Sequence, residues 1–154
     1  MASGPSHLQK EFEMRARFVV AFIILLVGGF CAADDKKDDK DQLQGEWIVT
    51  SAEVAGKKSE GLKGKKLVVK GDEWTPPTGG TLKFKFKLDA AKNPKQLDLK
   101  ANVGENEQTW PGIYKIEGDT FTFCRSTGAW DERPTEFKSG ESVTFMVFKR
   151  AEKK

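Results

Sequence analysis

The chain of 154 residues carries 26 Lys and Arg against 23 Asp and Glu, a formal net charge of +3, with two Cys and one His. This length allows one domain of ordinary size with an appendage, and an aromatic content of 10% is too high for a disordered chain. The mixed charges give no electrostatic case for nucleic acid, and the composition excludes a multi-domain enzyme, a collagen-like fibre and a disulfide-dense mini-protein.

The first predicted element is a signal peptide over residues 1–33. Residues 18–30 form an uncharged apolar run of thirteen residues, preceded by Arg15 and Arg17 and followed by Cys31-Ala32-Ala33. Basic, apolar and small-residue regions in this order are typical of a secretory signal, here cleaved after Ala33. The pattern predicts export to the periplasm or cell envelope, or secretion, with membrane contact only through this segment.

Two alternatives to a cleaved signal are a membrane anchor and a lipoprotein. Thirteen helical residues reach about 20 Å, which is short of a hydrocarbon core of roughly 30 Å. Acylation of Cys31 is disfavoured because the bulky Phe30 precedes it, where lipoprotein signals have a small residue. Met14 stands at the natural start of such a signal, so residues 1–13 are either a long n-region or the result of a misassigned start codon.

Cleavage would leave a mature chain without His and with a single Cys, Cys124. These absences exclude an intramolecular disulfide, a Ser-His-Asp triad, a Cys–His pair and a His-ligated zinc site. The chain also has no Walker-type phosphate loop and no dinucleotide fingerprint. We therefore predict a non-enzymatic protein with no metal and no cofactor.

The mature chain begins with a charged run and continues as a β domain. Residues 34–41 contain no apolar side chain and are predicted to be a disordered, solvated linker. Residues 42–150 are rich in β-forming residues between Gly, Pro and Asn turns, and residues 151–154 form a tail. Eight strands are predicted, at residues 46–54, 65–70, 73–75, 81–88, 96–101, 108–117, 120–125 and 142–149.

The clearest strand is 81–88, where apolar residues alternate strictly with Lys, which predicts one buried and one solvated face. Pro111-Gly112 indicates a sheet edge or a bulge. Sequential strands with tight turns favour an all-β fold, an antiparallel up-and-down meander closed as a barrel, with a β-sandwich as the alternative. An eight-stranded barrel holds either side chains or one small ligand.

Three motifs link the chain to a known family: Leu43-Gln44-Gly45-Glu46-Trp47, then Gly112-Ile113-Tyr114 with Gly118-Asp119, and ERPTEF at residues 132–137. Over residues 42–150 the chain resembles a small exported domain family of planctomycete bacteria, which is itself similar to lipocalin-like barrels. The resemblance implies a fold and export. It implies no activity, because none is established for that family.

The Gly45-x-Trp47 tripeptide also matches the start of the wider lipocalin pattern. That resemblance implies that Trp47 closes one end of the barrel, with a basic residue from the last strand packed across its indole. Arg150 is the matching residue, and Lys149 is the second choice. A guanidinium over an indole contributes about 0.5 to 2 kcal/mol.

Two sets of residues are candidates for binding. The barrel interior is predicted to line a ligand site or, alternatively, to form a filled core, and its members are Trp47, Phe84, Phe86, Tyr114, Phe121, Phe123 and Phe145. The predicted loop face could recognise a partner or, alternatively, cap the barrel ends, and its members are Trp74, Trp130 and Arg133. Arg133 would either clamp an anion or pair with an acidic side chain of its own chain.

These observations predict an exported, lipocalin-like binding protein, expected to be a monomer. Its ligand would be a small apolar or amphipathic molecule, or a component of the cell envelope. The alternative is a structural or protein-interaction module with a fully packed core and no ligand cavity.

Cleavage of the predicted signal peptide can be tested by mass spectrometry. The full chain, expressed in a bacterium that exports it, is expected to yield an envelope or secreted form. The intact mass of this form should equal that of a chain beginning at Asp34. Ala33→Arg is expected to block cleavage, because the signal peptidase site requires small residues. A membrane-bound product of full mass from the unchanged chain would instead support the anchor.

Overall fold

The computed structural model describes residues 38–81, 83–129 and 131–152. The predicted signal peptide, Leu82 and Trp130 therefore lie outside the described residues. Within the described ranges, no helix is long and apolar enough to cross a membrane.

The described chain is almost entirely β, and all eight predicted strands are present close to their predicted positions. A ninth strand of two residues and two short helical elements were not predicted. In chain order the elements are α1 (Asp39–Leu43), β1 (Gly45–Val54), β2 (Lys57–Lys58), a 3-10 helix (Glu60–Leu62), β3 (Lys66–Lys70), β4 (Glu73–Thr75), β5 (Phe84–Asp89), β6 (Lys95–Val103), β7 (Asn106–Glu117), β8 (Thr120–Ser126) and β9 (Val143–Arg150).

The strands form a closed antiparallel barrel. Strands β3 to β9 follow one another in spatial order, and β1 pairs with both β3 and β9, which closes an eight-stranded circle. Strand β2 is a short hairpin partner at the end of β1. The barrel prediction is confirmed, and the sandwich alternative is wrong.

The barrel interior contains a core of aromatic side chains. Phe121 lies at its centre and is fully buried. Ring centroids between 5.3 and 6.5 Å from that of Phe121 belong to Trp47, Trp74, Tyr114, Phe123 and Phe148. Pairs of this kind add about 0.5 to 1.5 kcal/mol each beyond the burial of their apolar area.

An outer segment, residues 127–129 and 131–142, covers the outside of β7 to β9. Beneath it lie Ile113 and Cys124, which are neighbours across the β7–β8 ladder, point away from the lumen and are almost fully buried. The Cys124 thiol is 3.5 Å from the Lys138 carbonyl oxygen. The segment is further held by Ser139, whose Oγ accepts a 3.0 Å hydrogen bond from the Gly56 N–H.

The outer segment explains why one interior assignment is wrong. Phe145 was predicted to face the lumen, but it pairs with the outward Cys124, while Thr144, Met146 and Phe148 are the buried residues of β9. Both faces of β9 carry apolar side chains, because the outer segment covers one face and the lumen the other. The alternation of apolar and polar residues therefore could not show which face of β9 points into the lumen.

The predicted linker is also wrong at its C-terminal end. Residues 39–41 belong to helix α1, which Asp38 caps by accepting a hydrogen bond from the Lys40 N–H. Leu43 at the end of this helix is fully buried. Residues 34–37 lie outside the described residues.

At Pro111 and Gly112, strand β7 gains a second neighbouring strand. Residues 106–111 pair with β6 alone, and pairing with β8 starts at Gly112. Pro111 thus lies on a locally unpaired edge, where its missing N–H removes no ladder hydrogen bond. A Cβ at Gly112 would lie 2.7 Å from the Phe123 ring and 2.8 Å from the Cys124 carbonyl oxygen.

Gly112→Ala is therefore expected to lower the free energy of unfolding by about 1 to 3 kcal/mol, as overpacking does. Gly140→Ala is the matched control, because a Cβ there meets nothing within 4 Å, and its effect should stay within about 0.5 kcal/mol. Urea unfolding of both variants measures the difference. Equal stabilities would show that β7 and β8 can separate at no cost.

Candidate functional site

One end of the barrel is closed by an arginine and a tryptophan. The Arg150 guanidinium carbon lies 4.2 Å from the centroid of the Trp47 ring, so the predicted pairing is confirmed. The same guanidinium donates hydrogen bonds to the carbonyl oxygens of Gln42 at 2.7 Å and Gln44 at 3.1 Å. Arg150 therefore also holds the end of α1 in place.

Helix α1 forms the lid of this closed end. The Trp47 indole N–H donates to the Leu43 carbonyl oxygen at 2.8 Å. The Gln44 side chain accepts from the Gly71 N–H at 2.7 Å and donates to the Gly71 carbonyl oxygen at 3.1 Å. The chain enters β1 through Gly45, whose φ of +110° favours glycine.

Asp39 connects the lid to the barrel wall. One of its oxygens accepts hydrogen bonds from the Tyr114 hydroxyl at 2.6 Å and the Lys95 ammonium at 2.7 Å. Burial acts to raise the pKa of Asp39, but these two hydrogen bonds and the Lys95 charge lower it below its ordinary value of 3.8. Burial and the Asp39 carboxylate raise the pKa of Tyr114 well above its ordinary range. The tyrosine therefore stays a neutral donor.

A cavity of about 190 Å³ lies toward the opposite, open end of the barrel, and we call it the lumen cavity. Most of its wall is apolar. It is lined by Val54, Leu62, Trp74, Pro76, Pro77, Thr78, Phe84, Leu99, Phe123, Arg125, Thr144 and Met146. Val54 and Thr78 are exposed and form its rim.

Only part of the predicted interior set reaches this cavity. Phe84 and Phe123 line it. Trp47, Tyr114 and Phe121 are fully buried elsewhere in the packed core, and Phe86 contacts Trp74 there. The sequence therefore identified interior residues of the barrel without separating the core from the cavity wall.

The predicted loop face is not assembled as expected. Trp74 lies in β4, is 1% exposed and packs 5.3 Å from Phe123 by ring centroids, so its predicted surface position is wrong. The three-residue strand 73–75 was predicted, but it is too short for alternation to show which of its faces is buried. Trp74 is a wall of the lumen cavity, whereas Trp130 lies outside the described residues.

Arg133 pairs within the chain. Its Nη1 lies 2.6 Å from an Asp98 carboxylate oxygen and 2.6 Å from the Gly112 carbonyl oxygen. Of the two alternatives considered for this residue, internal pairing with an acid is the one observed. Arg133 thus fastens the outer segment to β6 and β7.

Sequence reasoning missed Arg125. It shares the inward side of β8 with Phe123 and Phe121, two and four residues away, and it lines the lumen cavity. The signal that could have found it is this parity, continued to the end of a predicted strand. Burial lowers the pKa of Arg125, although a guanidinium remains charged in proteins.

The described residues contain no cluster of His, Cys, Asp and Glu that could hold a metal ion. Comparison with family models, curated proteins and solved structures finds no match for the chain. The resemblance in the short motifs stays a prediction, and the lumen cavity is the feature of the described residues that bears on function.

The lid makes stability depend on pH through Asp39. Because the folded pKa of Asp39 lies below its unfolded value, its contribution is present above the unfolded pKa and disappears as pH falls through the folded pKa. Asp39→Ala is expected to cost about 2 to 4 kcal/mol at pH 7, since two charge-assisted hydrogen bonds are lost.

Urea unfolding between pH 7 and pH 2 measures this cost. The gap between the unchanged protein and Asp39→Ala should narrow as the pH falls below about 4. Asp41→Ala is the control, because Asp41 is exposed in the same helix, and it should lose little stability at any pH. A gap of the same size at pH 7 and at pH 2 would contradict the assigned role of the Asp39 carboxylate.

Proposed function

We propose that this chain is an exported, non-enzymatic, lipocalin-like barrel that binds a small apolar or amphipathic molecule in the lumen cavity. The observation that carries the proposal is the cavity of about 190 Å³ within a barrel whose other end is closed and packed. Export is supported by the order of basic, apolar and small residues before position 34. The lack of His in the predicted mature chain supports a non-enzymatic role.

The size of the cavity limits the ligand. A dry apolar void of roughly 150 Å³ holds a benzene molecule, and drug-sized ligands need at least about 300 Å³. At about 190 Å³, the lumen cavity suits a compact molecule slightly larger than a benzene ring. A longer tail would have to leave past Val54 and Thr78 at the rim.

A second candidate function is a packed module that acts through its surface on a protein or another envelope component. It is favoured by the burial of Trp47, Tyr114 and Phe121 in a core that leaves them no contact with a ligand. The two proposals differ in whether the lumen cavity takes up a probe.

Toluene is a suitable neutral probe, tested on protein purified from the envelope after expression of the full chain. We expect toluene to change the fluorescence of Trp74 in the cavity wall and to raise the midpoint of thermal unfolding, because a ligand that binds only the folded state stabilises it. Leu99→Phe should abolish both effects by filling the cavity.

Val103→Phe is the matched control, since Val103 lies on the same strand, is 44% exposed and does not line the cavity. This variant should respond to toluene as the unchanged protein does. If saturating toluene leaves the thermal midpoint and the fluorescence of the unchanged protein unaltered, the lumen proposal fails and the surface module is favoured.

A further inference from the structure

Arg125 is distinguished by what surrounds its charge. The described chain has three arginines, and two of them pair with carboxylates: Arg133 with Asp98 at 2.6 Å and Arg150 with Asp119 at 3.4 Å. No described Asp or Glu forms an ion pair with Arg125. The arginine without a counter-charge is therefore the one that lines the lumen cavity.

The guanidinium of Arg125 also has unused donors. Of its five N–H groups, one donates to the Ser126 carbonyl oxygen at 2.7 Å, and no other acceptor among the described residues receives a hydrogen bond from it. No fully enclosed polar side-chain atom of the described chain lacks a partner. The free donors are consequently open to the space of the cavity or its mouth.

A second donor lies beside this guanidinium. Thr144 on β9 is the register partner of Arg125 on β8, so both side chains point to the same side of the sheet. Thr144 is 5% exposed and lines the cavity. Its hydroxyl makes no hydrogen bond to any described residue. Two neighbouring strands thus present a cation and a hydroxyl to one apolar space.

Arg125 is half-buried, so its charge is partly withdrawn from water, at some cost in free energy. A charged side chain withdrawn from water loses free energy of hydration that only an opposite charge or hydrogen bonds replace. Arginines are almost never enclosed unless paired for this reason. Burial has the expected effect here, since it lowers the pKa of Arg125 and no acidic neighbour counteracts it.

We propose that the lumen cavity binds a small organic carboxylate, with its anionic head on Arg125 and Thr144 and its apolar part against Trp74, Phe84 and Phe123. This inference rests on the proposed function and specifies its ligand class. A planar carboxylate matches the fork of a guanidinium. One cation balances one negative charge, whereas a phosphate dianion would bring a second charge with no partner in the cavity wall.

The volume of the lumen cavity narrows the class of carboxylate further. A cavity of about 190 Å³ accepts a compact acid such as hexanoate or benzoate, only slightly larger than the benzene that fills a void of roughly 150 Å³. Long-chain acids would have to extend through the rim. The ligand class is therefore a short aliphatic or single-ring carboxylic acid.

The test is calorimetric titration of the purified protein with hexanoate and with hexanamide, its neutral counterpart of nearly equal size. Hexanoate should bind more tightly than hexanamide. Arg125→Met should weaken hexanoate binding about 10- to 100-fold, which is the loss of hydrogen bonds to a charged group, and leave hexanamide binding unchanged. Without ligand, Arg125→Met should unfold at the same temperature as the unchanged protein or a few degrees higher.

Lys87→Met is the matched control, because it removes one positive charge from an exposed position on the outer side of β5. Its hexanoate affinity should equal that of the unchanged protein. Thr144→Val provides an independent variant if Arg125→Met fails to fold, and it should also weaken hexanoate binding while sparing hexanamide. In the unchanged protein, the Arg125 Nε–H resonance should shift on addition of hexanoate.

Other outcomes separate this inference from the proposed function. Equal affinities for hexanoate and hexanamide in the unchanged protein would overturn the carboxylate inference and preserve an apolar binding site. Hexanoate binding that survives Arg125→Met but is lost in Lys87→Met would move the anion to the outer surface and overturn it as well. Failure of hexanoate, hexanamide and toluene alike would overturn both proposals.

Discussion

Strand β1 hydrogen-bonds to β3 and β9 at once, and this double pairing fixes the volume inside the barrel. A closed circle of eight strands cannot flatten or open out, so inward side chains either fill the lumen or leave a cavity. Rings around Phe121 fill the half that α1 covers. Toward the other end, the wall passes from Phe123 to Arg125, and filling stops. The candidate site is the part of the barrel interior that the aromatic side chains leave unfilled.

Two arginines near opposite ends of the lumen show how context decides what a charge does. Arg150 stacks on Trp47 and donates to carbonyl oxygens at the end of α1, so its charge is balanced and it stabilises the fold. Arg125 has one carbonyl acceptor and no carboxylate. The contacts of Arg150 within the folded chain account for its position. Arg125 is half-buried and has no carboxylate partner among the described residues.

Much of the architecture follows from local patterns, because strand alternation and turn residues act over a few positions. The prediction that Trp47 pairs with Arg150 rested instead on the resemblance to the lipocalin pattern. The failures have a common physical origin in contacts between distant parts of the chain. Asp39 was assigned to a linker because its partners, Lys95 and Tyr114, lie more than fifty residues away. The cavity depends on which interior positions stay unfilled, and no single strand encodes that.

The outer segment has a consequence for how the molecule opens. Continuous ladders hold the barrel, whereas side-chain contacts such as those of Arg133 and Ser139 fasten the segment above Cys124. Regions held by fewer contacts open at lower free energy than the global fold. The reaction rate of Cys124 with a thiol reagent would therefore report local opening while the barrel remains intact. A closed segment would likewise shield Cys124, the one free thiol among the described residues, from disulfide exchange with other proteins.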